Sequence, residues 1–380
     1  MSIFKYQRTS QPFMKRTLEL TIIGMLAAVG CGQGQNEPKA LAAAKSERNL
    51  EDASDGRSVD NLAVLVLDDS DGDYQTPSNK DTIYLIGGSD EPIVKREEFC
   101  ICQTVGGQRS VAVAKDGSFI VCENVLKRMS RYGKDGKLIF SFDKDIQSVD
   151  ISVTGSIYCL NSSGKIFGDS VFIIDPADGK VIKEATFGGL DLVVDDEHDS
   201  VWIVGADIKR LDRNLSNLFI KDPITWTAVS VDYASDGSAW VAERRHPDSN
   251  GSKNRLLHIS LKGDVQDIEL DDSPYCVAVD RKNNLVYVAG FDGVYRFDQS
   301  GKKTYIAPKR NLTSKLNPLG DSKVFGVRVD PRDSSVWTVG WDSFRWDKGA
   351  NSINHYSSDG EKLLTIYGLS SSEQFIAIRK

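Results

Sequence analysis

The sequence predicts an all-β fold, a β-propeller of four-stranded antiparallel blades, and two observations lead to this prediction. The first is a short phrase, usually a small residue followed by apolar, aromatic and apolar positions, which recurs seven times between residues 62 and 340. Its copies begin at Thr82, Ser118, Ser156, Ser200, Ser238, Leu285 and Ser335. The second is the period of about 40 to 50 residues, which is typical of repeats that each form a four-stranded blade.

Each repeat divides into four predicted strands. Strand A is a short apolar alternation that ends at an acidic or turn residue, as at residues 65–68, 229–232 and 277–280. Alternation at period two predicts a strand. Strand B is the aromatic phrase, and strand C follows it, as at residues 294–297. A turn containing Gly, as at residues 134–136, supplies the positive φ that a tight hairpin into strand D requires.

The aromatic residues of strand B are predicted to be core residues. Propeller blades stack face to face around an axis, so both faces of each sheet are buried and the space between sheets widens outward. Strand A, the innermost strand, accordingly contains small residues such as Ala112, Ser230 and Ala278. Aromatic rings can fill the wider gap farther out. They occur at Tyr84, Tyr158, Trp202, Trp240, Tyr287 and Trp337.

One predicted strand is left over after the seventh repeat. Residues 374–379 again have the pattern of strand A. Propellers often close by pairing a terminal strand with the opposite end of the chain, because an open ring would leave backbone groups unpaired. We therefore expect this strand to close the ring. Seven blades is the favoured count, with six and eight kept open.

The first 31 residues predict a secretion signal. Lys15 and Arg16 precede an apolar stretch, residues 18–29, that is too short to span a bilayer and leads to Cys31. The ending Leu-Ala-Ala-Val-Gly-Cys resembles the lipobox of bacterial lipoproteins. That resemblance implies cleavage before Cys31 and attachment of lipid to its thiol. The alternative is an ordinary cleaved signal followed by an incidental cysteine.

The chain thus has three predicted parts. Residues 1–30 are the lipoprotein signal peptide, residues 31–59 are a flexible tether without apolar periodicity, and residues 60–380 are the propeller. We expect a protein that is secreted across the cytoplasmic membrane and held by its N-terminal lipid alone. Its expected location is the outer membrane or periplasm, or the cell surface.

Net charge argues against nucleic acid as a partner. The whole sequence carries −7, and removal of residues 1–30, which contain four Lys/Arg and one Glu, makes this −10. Binding to phosphate backbones requires a basic surface.

The five cysteines after Cys31 are predicted to be small buried residues. All lie in or beside predicted strands, and an odd number cannot all pair within one chain. No CxxC pair or histidine cluster accompanies them, which argues against structural zinc. They are Cys100, Cys102, Cys122, Cys159 and Cys276.

Residues 110–137 show the repeat in its clearest form. They read SVAVAKDGSFIVCENVLKRMSRYGKDGK, in the order strand, Asp-Gly turn, strand, polar residue, basic strand and Gly-Lys turn. This order resembles the NHL family of six- and seven-bladed propellers, and the resemblance extends in pattern over residues 62–368. NHL repeats usually end strand B with Asp. This chain has Gly87, Glu123, Asn161, Gly205, Glu243, Gly290 and Gly340 there.

Relatives of that family include the SMP-30/gluconolactonase lactonases, whose divalent metal is held by carboxylate and amide side chains at strand ends. By this resemblance a divalent metal such as calcium is the one cofactor to consider here, because hard cations bind oxygen ligands. Its candidate ligands are Glu123, Asp150, Asn161 and Glu243. The alternative is that these are solvated or hydrogen-bonded loop residues.

The long connections of the predicted propeller define a candidate binding surface, the long-loop face. Most of them join strand B to C or strand D to A, and those connections share one face because successive strands run antiparallel. Residues 161–170, 243–255, 306–323 and 341–352 together contain eleven Lys/Arg and six Asp/Glu, a net +5. On an acidic protein this favours binding of an envelope protein or an anionic glycan. The alternative is that the loops carry charge for solubility.

The candidate binding residues of the long-loop face are basic and aromatic, the types that stack and anchor interfaces. They are Arg244, Arg245, Arg310, Trp341, Phe344, Arg345 and Trp346.

Catalytic motifs are missing from the sequence: it contains no HExxH, no Gly-Xaa-Ser-Xaa-Gly elbow and no Gly-rich phosphate loop. We therefore predict a cell-envelope lipoprotein whose propeller is a binding scaffold acting through the long-loop face. The alternative function is a metal-dependent hydrolase or lactonase with its site on the propeller axis. Metal content of the purified protein distinguishes the two.

Overall fold

Short β-branched and aliphatic runs separated by turns form strands throughout the described chain. The computed structural model describes residues 46–49, 62–68, 81–87, 92–99, 111–123, 127–161, 169–221, 226–245, 253–291, 293–305, 323–341, 351–369 and 374–379. All of them belong to one unit, Ala42–Lys380. Within these ranges no helix is long and apolar enough to cross a membrane.

The strands of the N-terminal half are β1 (Ser46–Asn49), β2 (Leu62–Asp68), β3 (Asp81–Gly87), β4 (Pro92–Phe99), β5 (Val111–Val113), β6 (Phe119–Glu123), β7 (Arg128–Tyr132), β8 (Leu138–Phe142), β9 (Ile146–Ile151), β10 (Ile157–Asn161), β11 (Ser170–Ile174), β12 (Val181–Ala185), β13 (Asp191–Asp195) and β14 (Ser200–Val204). The strands of the C-terminal half are β15 (Ile208–Asp212), β16 (Asn217–Lys221), β17 (Trp226–Tyr233), β18 (Ala239–Arg245), β19 (Asn254–Ile259), β20 (Val265–Leu270), β21 (Pro274–Asp280), β22 (Leu285–Gly290), β23 (Gly293–Phe297), β24 (Lys303–Tyr305), β25 (Lys323–Val329), β26 (Val336–Trp341), β27 (Asn351–Tyr356), β28 (Lys362–Leu369) and β29 (Gln374–Ile378).

These strands form the predicted all-β propeller of four-stranded antiparallel sheets. Six sheets have four strands each, in the orders β29-β2-β3-β4, β5 to β8, β9 to β12, β13 to β16, β17 to β20 and β21 to β24. The remaining sheet has five strands, β25 to β28 with β1 at its outer edge. β1 lies within the segment expected to be a tether and pairs with β28 in parallel. The inner strands of successive sheets contact one another around the axis.

The C-terminal strand closes the ring, as predicted. β29 pairs antiparallel with β2, with Val66 opposite Ile376. One assignment in this sheet was wrong. β2 had been expected to be strand A and β3 the aromatic strand B, but β29 takes the innermost place, so β2 is second and β3 is third. The apolar pattern of β2 fits either position, because both inner strands of a blade are buried on both faces.

The aromatic residues of strand B fill the gaps between sheets. Trp202, Trp240 and Tyr287 are among the largest fully buried side chains. Trp240 stacks on His258 of the third strand with ring centroids 4.3 Å apart, and Trp337 stacks on His355 at 3.9 Å. Each tryptophan ring therefore packs on a histidine of its own sheet while it fills the gap between two sheets.

Three cysteines are buried without disulfide bonds, as predicted: Cys122, Cys159 and Cys276. Burial raises the pKa of the Cys159 thiol, which keeps it protonated. Cys100 and Cys102 lie outside the described residues.

Candidate functional site: a cavity on the propeller axis

The inner strands enclose a cavity of about 480 Å³ where they end and turn into the second strands. Its walls are mainly apolar because strand A supplies small and branched aliphatic residues. They include Val111, Ala112, Val113, Val149, Val193, Val279, Val329, Ala377 and Ile378. We call this space the axial cavity.

Three charges lie at one level of the ring of inner strands. This level consists of the inner-strand residues that pair with the aromatic position of strand B. They are Ala112, Asp150, Val193, Asp232, Ala278 and Arg328. Asp150, Asp232 and Arg328 all line the axial cavity. A narrow axis accommodates small residues best, so charged residues at this level require hydrogen-bonding partners or solvent.

The two aspartates use backbone amides as partners. The Oδ2 atom of Asp150 accepts the Val194 N–H of the next sheet at 2.9 Å, and its Oδ1 atom accepts the Ile151 N–H at 2.9 Å. Asp232 repeats this arrangement with the Val279 N–H at 2.9 Å and the Tyr233 N–H at 3.0 Å. Each carboxylate therefore ties its inner strand to the next one around the axis.

Arg281 lies beside this level in the turn after β21. Its Nη2 atom donates to Asp232 Oδ1 at 2.8 Å, and its guanidinium lies 3.6 Å from the centroid of the Tyr233 ring. Its Nε atom has no hydrogen-bond partner among the described residues. Burial raises the pKa of Tyr233, so this phenol is a neutral wall of the axial cavity at physiological pH.

Arg328 has no carboxylate partner among the described residues. Its Nη1 atom donates to the Cys276 sulfur at 2.7 Å and to the Val327 carbonyl at 2.8 Å. The side chain is one of those that line the axial cavity. Arg328 therefore contributes a positive charge at the level where Asp150 and Asp232 contribute negative ones.

The other acidic residues at the cavity are mostly occupied by donors. Asp196 accepts the Val153 N–H at 2.8 Å and pairs with Arg213 at 3.3 Å. Asp280 accepts the Ser334 hydroxyl at 3.0 Å and the Asn283 amide at 2.7 Å.

The rim of the cavity carries charges of both signs. Glu197 and Lys282 are exposed there, and Arg379 donates to the Lys115 carbonyl at 2.6 Å. The opposite charges of Glu197 and Lys282 offset each other, so these two rim residues add little to the electrostatic potential of the cavity.

The opposite end of the axis holds part of the predicted long-loop face. Arg244 donates from Nε to the Pro274 carbonyl at 2.7 Å, and its guanidinium lies 4.0 Å from the centroid of the Tyr275 ring. Tyr275 in turn makes an edge contact with Phe325, with centroids 5.1 Å apart. Arg245, at the end of β18, is exposed. Sequence reasoning identified Arg244 but missed Tyr275, on which it packs, and Phe325, which contacts Tyr275.

Five predicted binding residues give no structural test. Trp341 ends β26, and its side chain is outside the described part of the structure. Arg310, Phe344, Arg345 and Trp346 lie outside the described residues.

Three of the proposed metal ligands, Asp150, Asn161 and Glu243, have described side chains, and the structure does not bring these three together. Asn161 pairs with Ile146, four residues before Asp150 on β9, which places it about 13 Å along the strand from that carboxylate. Its amide donates to Asp169 at 3.3 Å. Glu243 is fully buried and pairs with Arg255 at 2.5 Å. The side chain of Glu123 is not described, and within the described chain no group of three His, Cys, Asp or Glu residues could hold a metal ion.

Sequence reasoning missed Asp232, Arg281 and Arg328 as site residues. A signal for Arg328 was present, since among the strands A of the seven repeats it is the one basic residue, at a position where the others have small, aliphatic or acidic residues. No comparable signal singles out Arg281, which follows its strand in an ordinary turn.

The fold and the axial cavity define the chain as a β-propeller protein, and three solved structures are similar to it. A streptogramin B lyase superposes with a TM-score of 0.53 at 14% identity over 74% of this chain and 96% of that one. Virginiamycin B lyase from Staphylococcus aureus gives 0.51 at 13% over 72% and 95%. Hydrazine synthase from Kuenenia stuttgartiensis gives 0.53 at 12% over 73% and 89%.

At these identities the likeness shows the fold alone. No protein-family model matches the chain, and no curated protein matches it. The resemblance to NHL repeats therefore stays a prediction.

Proposed function

We propose that this protein is a secreted binding module whose propeller takes a small ligand in the axial cavity. The observation that carries the proposal is a 480 Å³ space lined by aliphatic and charged residues, among them Arg328, whose guanidinium has no carboxylate partner within the described residues. Small-molecule sites have volumes of roughly 300–1,000 Å³, with apolar linings and a few convergent polar groups.

The hydrogen bonds at the cavity favour binding over catalysis. Asp150 and Asp232 each accept two backbone N–H groups, so part of the hydrogen-bonding capacity of each carboxylate serves to hold the strands. These bonds also hold the inner strands together, so the walls of the cavity are preorganised. Preorganised walls reduce the entropic cost of binding a small ligand.

An occluding substitution tests the location of the site. Three probes share one ring system and differ in charge: 2-naphthoate, 2-naphthamide and 2-naphthylmethylammonium. We expect saturation-transfer NMR to detect at least one of them on the purified protein and to lose the signal in Ala377→Phe, which places a ring in the cavity. Ala112→Phe, on another inner strand, should do the same.

The matched control is Ala177→Phe, the same change at an exposed turn residue. It should leave probe binding unchanged. Equal signals from the wild type and from folded forms of both occluding variants would overturn the cavity as the binding site, as would the absence of any signal from the three probes.

We also propose that the module is a lipoprotein of the cell envelope, on the evidence of residues 1–31. Growth with a labelled fatty acid should label the protein, and Cys31→Ser should abolish labelling and release the propeller in soluble form. Persistent labelling of Cys31→Ser would contradict the proposal.

The long-loop face is a second candidate site, supported by the packing of Arg244 on Tyr275. A partner there would be an envelope protein or an acidic glycan. Alginate retention at low salt should decrease when Arg244 and Arg245 are both changed to Ser, but not when Lys180 and Lys262, two exposed residues of outer turns, are changed. Equal retention of the two double variants would exclude this face.

The metal-dependent hydrolase stays an alternative that metal analysis tests. Its predicted ligands are separated along their strands, so we derive no reaction step from them. Stoichiometric calcium in the purified protein, with loss of thermal stability on chelation, would favour this alternative.

A further inference from the structure

We infer that the ligand of the axial cavity is a small organic anion, a carboxylate attached to an apolar body. This inference rests on the proposed function, because it assigns a chemical class to the ligand of the same cavity. It depends on how the charged groups at the cavity are divided between those already bonded within the protein and those still available.

The available group is one edge of the Arg328 guanidinium. Its Nη1 atom is occupied by the Cys276 sulfur and the Val327 carbonyl. Its Nε and Nη2 atoms make no hydrogen bond within the described residues, although the side chain lines the cavity. These two donors are parallel, and their spacing matches the two oxygens of a carboxylate. The fixed Nη1 holds the guanidinium in place, so a carboxylate can bind both donors with little loss of side-chain entropy.

A second guanidinium lies on the same cavity wall. The Nη2 atom of Arg281 donates to Asp232 and its plane lies over the Tyr233 ring, while its Nε atom is buried without a partner among the described residues. Because both arginines are held by other contacts, each guanidinium has a defined orientation. Two such guanidinium groups favour an anion over a neutral polar ligand.

The two carboxylates at the charged level are already hydrogen-bonded within the protein. Both oxygens of Asp150 accept backbone N–H groups, and those of Asp232 accept two backbone N–H groups and Arg281. A bound cation would have to displace or share these bonds. Asp150 and Asp232 therefore belong to the wall of the site, where they hold the strands and position Arg281.

The remainder of the ligand is predicted to be apolar. Away from the charged level the apolar part of the lining is formed by Val111, Val113, Val149, Val153, Val279, Pro331 and Ile378, and charged residues such as Glu197, Lys282 and Arg379 stand at the rim. A fully polar anion such as inorganic phosphate would leave these side chains against water. An aromatic or branched aliphatic carboxylate would cover them and gain hydrophobic free energy in proportion to the area buried.

The naphthalene probes separate this inference from the proposed function. We expect the wild type to bind 2-naphthoate at least about tenfold more tightly than 2-naphthamide, because only the anion pairs with the guanidinium. Arg328→Gln, which keeps a polar side chain of similar length, should weaken 2-naphthoate by about tenfold or more and leave 2-naphthamide within about twofold. Lys183→Gln removes the same charge from the exposed strand β12 and should change neither affinity.

Each outcome of the titration has a defined meaning. Equal affinities for the acid and the amide, both lost in Ala377→Phe, would overturn the inference and keep the cavity as a binding site. Tightest binding of the naphthylmethylammonium ion would also overturn it. Binding of 2-naphthoate that is unaffected by Ala377→Phe would contradict the proposed function as well. If Arg328→Gln does not fold, Arg328→Lys is the alternative variant. It keeps the positive charge but lacks the two parallel N–H donors, so its affinity for 2-naphthoate should still decrease.

Discussion

The inner two strands of each sheet and its fourth strand differ sharply in environment. All six residues of β9 and all five of β14 are buried, whereas four of the five residues of β12 are exposed. The fourth strands also carry large apolar side chains in contact with water, including Leu138, Ile182, Leu218 and Ile220. The packing that stabilises the propeller is therefore concentrated near the axis, and the outer strands contribute mainly backbone hydrogen bonds.

Polar residues follow the same division. On inner strands they bond across sheets, as when the Ser148 hydroxyl donates to Asp191 at 2.9 Å and the Ser230 hydroxyl donates to the same carboxylate at 3.1 Å. In outer turns they bond within one hairpin, as Asp178 does with the Lys180 N–H at 3.0 Å. An inner polar group thus couples neighbouring sheets, while an outer one shapes a single turn. Arg328 also bonds across sheets, through Nη1 to Cys276, but its Nε and Nη2 atoms make no hydrogen bond within the described residues, which is the reason to assign them to a ligand.

The largest expected difference between the two regions is in side-chain packing. Trp240 is 1% exposed and stacks on His258, whereas Ile182 on β12 is 59% exposed. Trp240→Ala should lower the free energy of unfolding by about 3–5 kcal/mol, because it leaves a cavity between two sheets. Ile182→Ala should stay within about 0.5 kcal/mol of the wild type.

Denaturant unfolding measures both variants. Comparable shifts of the two midpoints would show that packing is not concentrated near the axis. The strand assignment itself would then need revision, since it is the sole basis of the contrast.

A smaller difference is expected for the aspartates. Asp150→Asn keeps one acceptor oxygen but places an NH₂ group against either the Val194 or the Ile151 N–H. A buried N–H left without an acceptor costs about 1–3 kcal/mol, so unfolding should become easier by that amount. Asp178→Asn, in the exposed turn before β12, should have little effect. Thermal unfolding of the two variants decides the matter, and equal melting temperatures would mean that the cross-sheet bonds contribute nothing measurable.

How far could the sequence predict this architecture? The repeated phrase identified strand B correctly in six of its seven copies, since only Thr82 falls on a third strand. It could not place β2 in its sheet, because the position of a strand depends on which distant strand pairs with it. Periodicity reports burial, and β29 and β2 are both apolar.

The site was less accessible to sequence reasoning than the fold. Asp150 was correctly placed on an inner strand, but its partner, the Val194 N–H, is 44 residues away in the next sheet. A carboxylate that accepts backbone amides and one that binds a metal look the same in a sequence. Likewise the sequence shows the charge of Arg328, but the lack of a carboxylate partner among the described residues is a property of the folded chain.

The smallest expected effect concerns pH and a buried carboxylate of the inner strands. Glu243 on β18 is fully buried, with one oxygen 2.5 Å from Arg255 Nη2 and the other without a hydrogen-bond partner among the described residues. Burial raises its pKa above the ordinary value of 4.5, and the pairing with Arg255 offsets this only in part. The folded protein therefore holds this proton to higher pH than the unfolded chain does. Its contribution to stability is complete below pH 4.5 and is lost as the pH rises through the raised pKa.

Relative to Glu243→Gln, the free energy of unfolding of the wild type should consequently decrease as the pH is raised from about 4.5 toward neutrality. The matched change on an outer strand is Glu269→Gln on β20, where the side chain is 54% exposed. That variant should follow the wild type across the same range, because solvent screens an exposed carboxylate in both states. Urea unfolding at several pH values gives the three curves. If the Glu243→Gln curve instead runs parallel to the wild type, the Glu243 carboxylate is solvated in the folded protein, and the contrast between inner and outer strands does not extend to charge.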